Sequence, residues 1–322
     1  MEAALALIGN DLKNVELQFK KDLQSDVPLI RKVGEYVLSS GGKRIRPALL
    51  LLAAKLCGYT GDRHVPLASV IEFIHTATLL HDDVVDSANL RRGIASANTL
   101  WGNEASVLVG DFLFSKSFSL MVADGDLAVL KVLSAATTII AEGEVLQLVS
   151  TSDMELTEER YIEVVKCKTA ILLSAACQAG AILGKASPEQ EDALREFGLR
   201  LGIAFQLMDD TLDYVASEEE FGKCIGHDLE EGKITLPLIH TLKRCAPVER
   251  ERVGEIIDKE LLDKDDFHSV FELVHRHGGI DYAVGRARDY IAEAKALLDA
   301  FPLSPAKDAL LSLSDYVVTR VK

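Results

Sequence analysis

Basic residues are in deficit in this chain. Thirty-five Lys and Arg stand against 50 Asp and Glu, a formal net charge of −15 over 322 residues. That balance excludes a nucleic-acid partner, whose phosphates call for a basic surface. It also means that any pocket for an anion must gather its own cations. Cysteine is sparse: Cys57, Cys167, Cys177, Cys224 and Cys245 are odd in number and lack CxxC spacing. A disulfide framework and a zinc ribbon are thereby set aside, and free thiols in a reducing compartment are expected. With eight prolines and 22 glycines, nothing resembles a disordered linker. The N-terminus has no basic n-region followed by an apolar core. The longest uncharged apolar stretch, Thr169 to Gly184, is broken by Ser174 and Gln178. It falls short of the ~20 apolar residues of a spanning helix. A cytoplasmic protein without a transmembrane segment is expected. Strand-like alternation is missing too.

What remains is helical periodicity in a chain 48% hydrophobic. Pro28, Pro47, Pro66, Pro188, Pro247 and Pro305 each precede an apolar-periodic stretch, where a first-turn proline is tolerated. Ser187 with Gln190 forms a capping box. Gly41-Gly42, Gly58 and Gly278-Gly279 close helices. Long helices are expected over 66–87, 126–150, 157–183 and 188–215, apolar beyond one stripe and so buried in a large bundle. Length alone suggests about two domains, yet no boundary is visible, and 1–322 reads as a single all-α domain.

Two segments share a chemical pattern. Leu79-Leu80-His81-Asp82-Asp83-Val84-Val85-Asp86 and Gln206-Leu207-Met208-Asp209-Asp210-Thr211-Leu212-Asp213 both carry aspartates at i, i+1 and i+4. Positions i and i+4 lie ~40° apart on a helix, so their carboxylates converge. Oxygen donors without His or Cys suit a hard cation such as Mg²⁺, which bridges carboxylates to substrate phosphates. One DDxxD alone is more readily a solvated acidic face. Two copies set among leucine, valine and methionine are not.

The cations lie where a metal–diphosphate site needs them. Lys43, Arg44 and Arg46 follow the glycine pair in Gly41-Gly42-Lys43-Arg44-Ile45-Arg46-Pro47, at the start of a helix, a setting that favours phosphate. Arg91 and Arg92 follow the first acidic motif. Lys168-Thr169 interrupts an apolar helix, and His75 stands seven residues before Asp82. Lys223 and Lys233 flank the loop after the second motif. Any one lysine is more often a surface residue; the sum reads as a trinuclear-type metal site for diphosphate with a second anion pocket.

GGKRIRP, LLHDDVVD with RRG, GDFLF, AEGEVLQL, KTA, FQLMDDTLDY and GKxxGxDLxEGKxTLPL together resemble the signature set of trans-isoprenyl (polyprenyl) diphosphate synthases, spanning Gly41 to Leu238. They are most similar to bacterial long-chain, octaprenyl-type members that make quinone side chains. One departure is His227, where relatives often carry an acid or lysine; Asp228 is kept. The resemblance implies an orthogonal helical bundle of the isoprenoid synthase type with a central cavity, working as a homodimer. It implies three Mg²⁺ ions held by Asp82, Asp86 and Asp209, with Asp83, Asp210 and Asp213 in support, binding an allylic prenyl diphosphate. Arg91, Lys168, Lys223 and Lys233 would neutralise that group. Lys43, Arg46, His75 and Arg92 would hold isopentenyl diphosphate, and Thr169 and Gln206 would stabilise the carbocation. Peripheral membrane contact for product release is a further expectation. The family's chain-length position, five before Asp82, is Ala77. On an ideal wheel Ala77 points ~140° from Asp82, whereas Thr78, Ile74 and Ile71 lie within ~80° of it. A terpene cyclase would need no second anion pocket. A non-catalytic partner subunit would typically have lost an acidic motif. A di-iron carboxylate bundle would want Glu-x-x-His pairs, and none suitable occurs.

Overall fold

The computed structural model describes residues 2–42, 44–91, 93–215, 226–259 and 261–319. The fold is all-α. The helices are α1 (Glu2–Asp22), α2 (Pro28–Ser39), α3 (Ile45–Leu56), α4 (His64–Val85), α5 (Ala97–Trp101), α6 (Asn103–Asp124), α7 (Leu127–Val149) and α8 (Glu158–Val165). After a π-helical turn (Lys166–Ala170) follow α9 (Ile171–Leu183), α10 (Pro188–Leu212), α11 (His227–Glu230), α12 (Leu236–Leu242), α13 (Pro247–Ile257), α14 (Lys264–Arg276), α15 (Gly279–Leu297) and α16 (Pro305–Thr319). The proline punctuation holds: Pro28, Pro188, Pro247 and Pro305 open their helices, and Pro47 and Pro66 stand third in theirs. Ser187 and Gln190 exchange both capping-box hydrogen bonds, each 3.3 Å. One feature departs from the helical expectation. Strands β1 (Leu90–Arg91) and β2 (Ile94–Ala95) pair antiparallel. Gly93, at φ 80°, supplies the left-handed backbone of the turn between them.

The chain divides into two compact units. One comprises residues 1–138, 172–198 and 297–313; the other comprises 139–171, 199–296 and 314–322. In the first, α4 packs on α6, α1 and α3. Leu49 to Leu52 on α3 are all 0% exposed, each contributing about 1.5–3 kcal/mol by leaving water. A helix apolar all round must be covered on every side. On one side α9 approaches so closely that a Cβ on Gly180 would lie 2.6 Å from the Leu50 carbonyl oxygen. Phe19 of α1 stacks on Phe73 of α4 with centroids 4.2 Å apart. These two belong to a cluster that includes Ala77, Leu80, Val109 and Leu113. In the second unit α12 is buried along its length, and α8 is capped by the Thr157 hydroxyl, which accepts from the Arg160 N–H at 3.2 Å. Gly279 seats α15 against the Pro237 carbonyl.

Three helical segments, Asn103–Asp124, Leu127–Val149 and Glu158–Leu183, are long and apolar enough to cross a membrane by length and composition. Each carries two charged residues in its apolar window, so none reads as an uncharged run. The share of that window buried within the protein is 33%, 28% and 67% in that order.

Candidate active site

The second acidic motif and the Lys-Thr pair come together inside the second unit. Around them lies a cavity of about 120 Å³ bordered by Lys168, Thr169, Gln206, Asp210, Asp228 and Lys233, with Val164, Val165 and Ile234 as apolar wall. Lys168 and Thr169 project from the π-helical turn, in which the Ile171 N–H reaches the Lys166 carbonyl five residues back. Such single wide turns recur at functional sites. Gly143 on α7 makes room for it: a Cβ there would lie 2.7 Å from both the Cys167 Cβ and the Lys168 nitrogen. Lys168 Nζ donates to Glu144 Oε2 at 2.7 Å and to Gln147 Oε1 at 2.6 Å.

A chain of hydrogen bonds runs through the motif. Tyr161 donates to Asp210 Oδ2 at 2.5 Å, and Gln206 Nε2 donates to Asp210 Oδ1 at 2.6 Å. With its amide nitrogen thus committed, Gln206 turns its carbonyl oxygen to Thr169, whose hydroxyl donates to it at 2.9 Å. Burial pushes the Asp210 carboxyl up to about 6, against the two hydrogen bonds that pull it down. Burial also raises Asp228 well above the carboxylate range, reinforced by the charges of Asp210 and Asp213 and opposed by Lys233. Tyr161 is raised by burial first and then by Asp210. Asp213 accepts from the backbone N–H groups of Gly226, His227 and Asp228 at 3.1, 3.3 and 3.0 Å, ordering the start of α11. Lys233 pairs with Glu231.

In the first unit the first motif ends α4. Asp83 is 1% exposed and held by Arg91, whose Nε and Nη2 lie 2.7 and 2.6 Å from Oδ1. Asp82 and Asp86 are half-buried. Arg46 Nη1 stands 3.0 Å from His75 Nε2; since guanidinium only donates, that nitrogen accepts and the ring proton sits on Nδ1. Lys43, Arg92 and Lys223 lie outside the described residues.

The residues present fit a hard divalent ion. Both motifs stand at the C-terminal ends of their helices, where the macrodipole disfavours carboxylates and favours a cation, by about 0.3–1 kcal/mol per charge. Asp82, Asp86 and Asp209 offer half-buried oxygen donors. Among the described residues, no three His, Cys, Asp or Glu side chains converge on one point.

Sequence reasoning passed over Tyr161, Glu144 and Gln147. Tyr161 stands seven residues before Lys168, the same interval that drew notice to His75 before Asp82. Glu144 and Gln147 of AEGEVLQL are polar interruptions of a long apolar helix.

The polyprenyl synthetase family model matches residues 27–274. The chain is 44% identical to octaprenyl diphosphate synthase of Escherichia coli (strain K12), with 99% of each sequence covered. A crystal structure of a decaprenyl diphosphate synthase from Rhodobacter capsulatus superposes with a TM-score of 0.95 at 41% identity, covering 100% of this chain and 99% of that one. So does a polyprenyl synthase from Caulobacter crescentus CB15 complexed with calcium and isoprenyl diphosphate, at 0.95 and 42%, covering 100% and 98%. The chain belongs to the polyprenyl synthetase family, and it is a transferase of isoprenoid biosynthesis, a polyprenyl diphosphate synthase.

Proposed function

We propose that this enzyme is a Mg²⁺-dependent trans-prenyltransferase that extends an allylic diphosphate with isopentenyl units to octaprenyl diphosphate, for a quinone side chain. The observation that carries the chemistry is the Tyr161–Asp210–Gln206–Thr169 chain beside Lys168 and Lys233 in a half-apolar cavity. Similarity to an octaprenyl synthase over 99% of both chains supports the product length, and the small, fully buried Ala77 is compatible with a long tail.

In this reading Asp82, Asp86 and Asp209 hold the ions, three per active site, with Asp83, Asp210 and Asp213 fixing the backbone and the neighbouring donors. Bound Mg²⁺ would draw charge from the diphosphate as the allylic C–O bond breaks. Lys168, Lys233, Arg91 and Lys223 stabilise the same leaving group electrostatically. Lys168 would exchange its bonds to Glu144 and Gln147 for diphosphate oxygens. The Gln206 carbonyl and Thr169 oxygen, oriented by Asp210, present their negative ends to the allylic cation. Lys43, Arg46, Arg92 and His75 bind isopentenyl diphosphate.

Residues 1–322 are taken as a single polyprenyl synthase domain. A homodimer is proposed through α6. Its Val107, Leu108, Phe118 and Val122 are 37, 67, 36 and 66% exposed and fall within about 100° of the helix wheel, an apolar stripe that a second copy would cover. The enzyme is taken as cytoplasmic, with membrane contact at product release.

The test is incubation with farnesyl diphosphate, labelled isopentenyl diphosphate and Mg²⁺, followed by chromatography of the dephosphorylated products. Elongation to eight units that EDTA abolishes is expected. Turnover undiminished in Asp82→Ala or Asp209→Ala would sink the reading.

A further inference from the structure

Within Gly41 to Pro47, the charge of Arg44 is answered inside the protein. Its side chain is 17% exposed and ion-paired with Glu72, itself only 6% exposed. Nη2 donates to the Leu38 carbonyl at 2.6 Å, and Nε stands 3.5 Å from Glu16 Oε1. One guanidinium therefore ties α1, the last turn of α2 and α4 to the start of α3. The Arg44 backbone is left-handed, at φ 49° and ψ 34°, and follows Gly41 at φ 86° and Gly42 at φ 145°. A non-glycine residue stays in that region only where its surroundings over-determine it, and the threefold anchor does so here. Arg46, two residues on, meets His75. His75 stands one turn after Glu72 on α4, so the helix that receives Arg44 also carries Arg46's partner.

We infer that Arg44 is a positioning residue for isopentenyl diphosphate. It does not touch the substrate; it fixes the backbone at the start of α3 that carries Arg46. Lysine substitutes only in part, because a single ammonium does not span three acceptors lying in different directions. This rests on the reading of Lys43, Arg46 and His75 as the diphosphate pocket.

The experiment is steady-state kinetics on Arg44→Ala, Arg44→Lys and Glu72→Gln, with Arg46→Ala run alongside and a melting curve for each. In Arg44→Ala the KM for isopentenyl diphosphate should rise about tenfold or more, while the allylic KM and kcat stay within about twofold. Arg44→Lys should fall between, and millimolar guanidinium should restore Arg44→Ala in part. A merely structural role would lower the melting point and the active fraction without splitting the two KM values. Trp101, the one tryptophan of the chain, lines the same groove as Gly41, Gly42 and Arg44. Its fluorescence titration with isopentenyl diphosphate should weaken in step. Should Arg44→Ala fail to fold, Glu72→Gln removes the partner charge at nearly constant volume and must show the same split. A folded variant whose KM for isopentenyl diphosphate is unchanged, or whose two KM values rise equally, overturns the inference while Arg46→Ala still raises that KM. No effect of Arg46→Ala overturns the pocket assignment and the inference with it.

Discussion

Tyr161→Phe should move the pH dependence of catalysis before it changes anything else. Asp210 is 6% exposed, and two donors, Tyr161 and Gln206, keep its carboxyl near 6 against the cost of burial. Removing one hydrogen bond to a buried charged group costs about 1.5–3 kcal/mol. At 1.36 kcal/mol per pH unit, the carboxyl should titrate about one to two pH units higher than in the parent. Once protonated, Asp210 no longer draws the Gln206 amide nitrogen, and the Gln206 carbonyl loses the orientation it needs beside Thr169. The acidic limb of kcat/KM, measured at fixed saturating Mg²⁺, should therefore shift up by about a unit or more, with activity largely recovered in alkaline buffer. The ring remains and only an oxygen is lost, so the melting point should fall by a few degrees at most. An unmoved limb in a folded variant would refute the reasoning, and so would a loss of equal size at every pH, because neither outcome is an ionisation effect.

Three further outcomes are expected. Arg91→Ala strips the partner from Asp83, 1% exposed, and should cost about 3–5 kcal/mol in urea unfolding, the penalty of a buried unpaired charge; Asp83→Asn in the same background should recover much of it. In metal-free protein, Asp210 binds its proton more tightly folded than unfolded, its carboxyl rising from 3.8 to about 6. That stabilisation is full below about pH 4 and is lost as pH rises through about 6, on the order of 2–3 kcal/mol; Asp210→Asn should flatten this stretch of the pH–melting curve in EDTA. Ala77→Phe should shorten the product sharply and leave the first condensations intact, at about 1–3 kcal/mol of overpacking. A product ladder matching the parent's would mean that Ala77, which packs with Phe73, Leu80, Val109 and Leu113, does not line the tail's path.

The helices were legible because their signals are local. The expected segments 66–87, 126–150, 157–183 and 188–215 meet helical runs at Pro66, Leu127, Glu158 and Pro188 and end within about three residues of the observed ends. First-turn prolines and a capping box act through the chain's own neighbours, so one sequence suffices to find them. The π-helical turn at Lys166–Ala170 was not legible. What permits it is a glycine on another helix, Gly143, whose missing Cβ leaves room beside Cys167 and Lys168. The β1–β2 ribbon was missed for a different reason: two-residue strands are too short for alternation to register.

For the site, the helix wheel shows which carboxylates share a face but not which are spent on the protein itself. Asp82 and Asp83 are identical in the motif. The fold then makes one half-buried and buries the other against Arg91, while in the second motif Asp210 is consumed by Tyr161 and Gln206 and Asp213 by three backbone N–H groups. The same sorting occurs among the cations, where Arg44 is claimed by Glu72 and Leu38 although Gly-Gly-Lys-Arg reads as a row of equivalent phosphate ligands. In both places the deciding partner lies 28 or more residues away, or on the far side of a turn whose conformation the motif does not encode. A charge count therefore locates the chemistry, and only the pairing of each charge separates the groups left to meet a substrate from those that hold them in place.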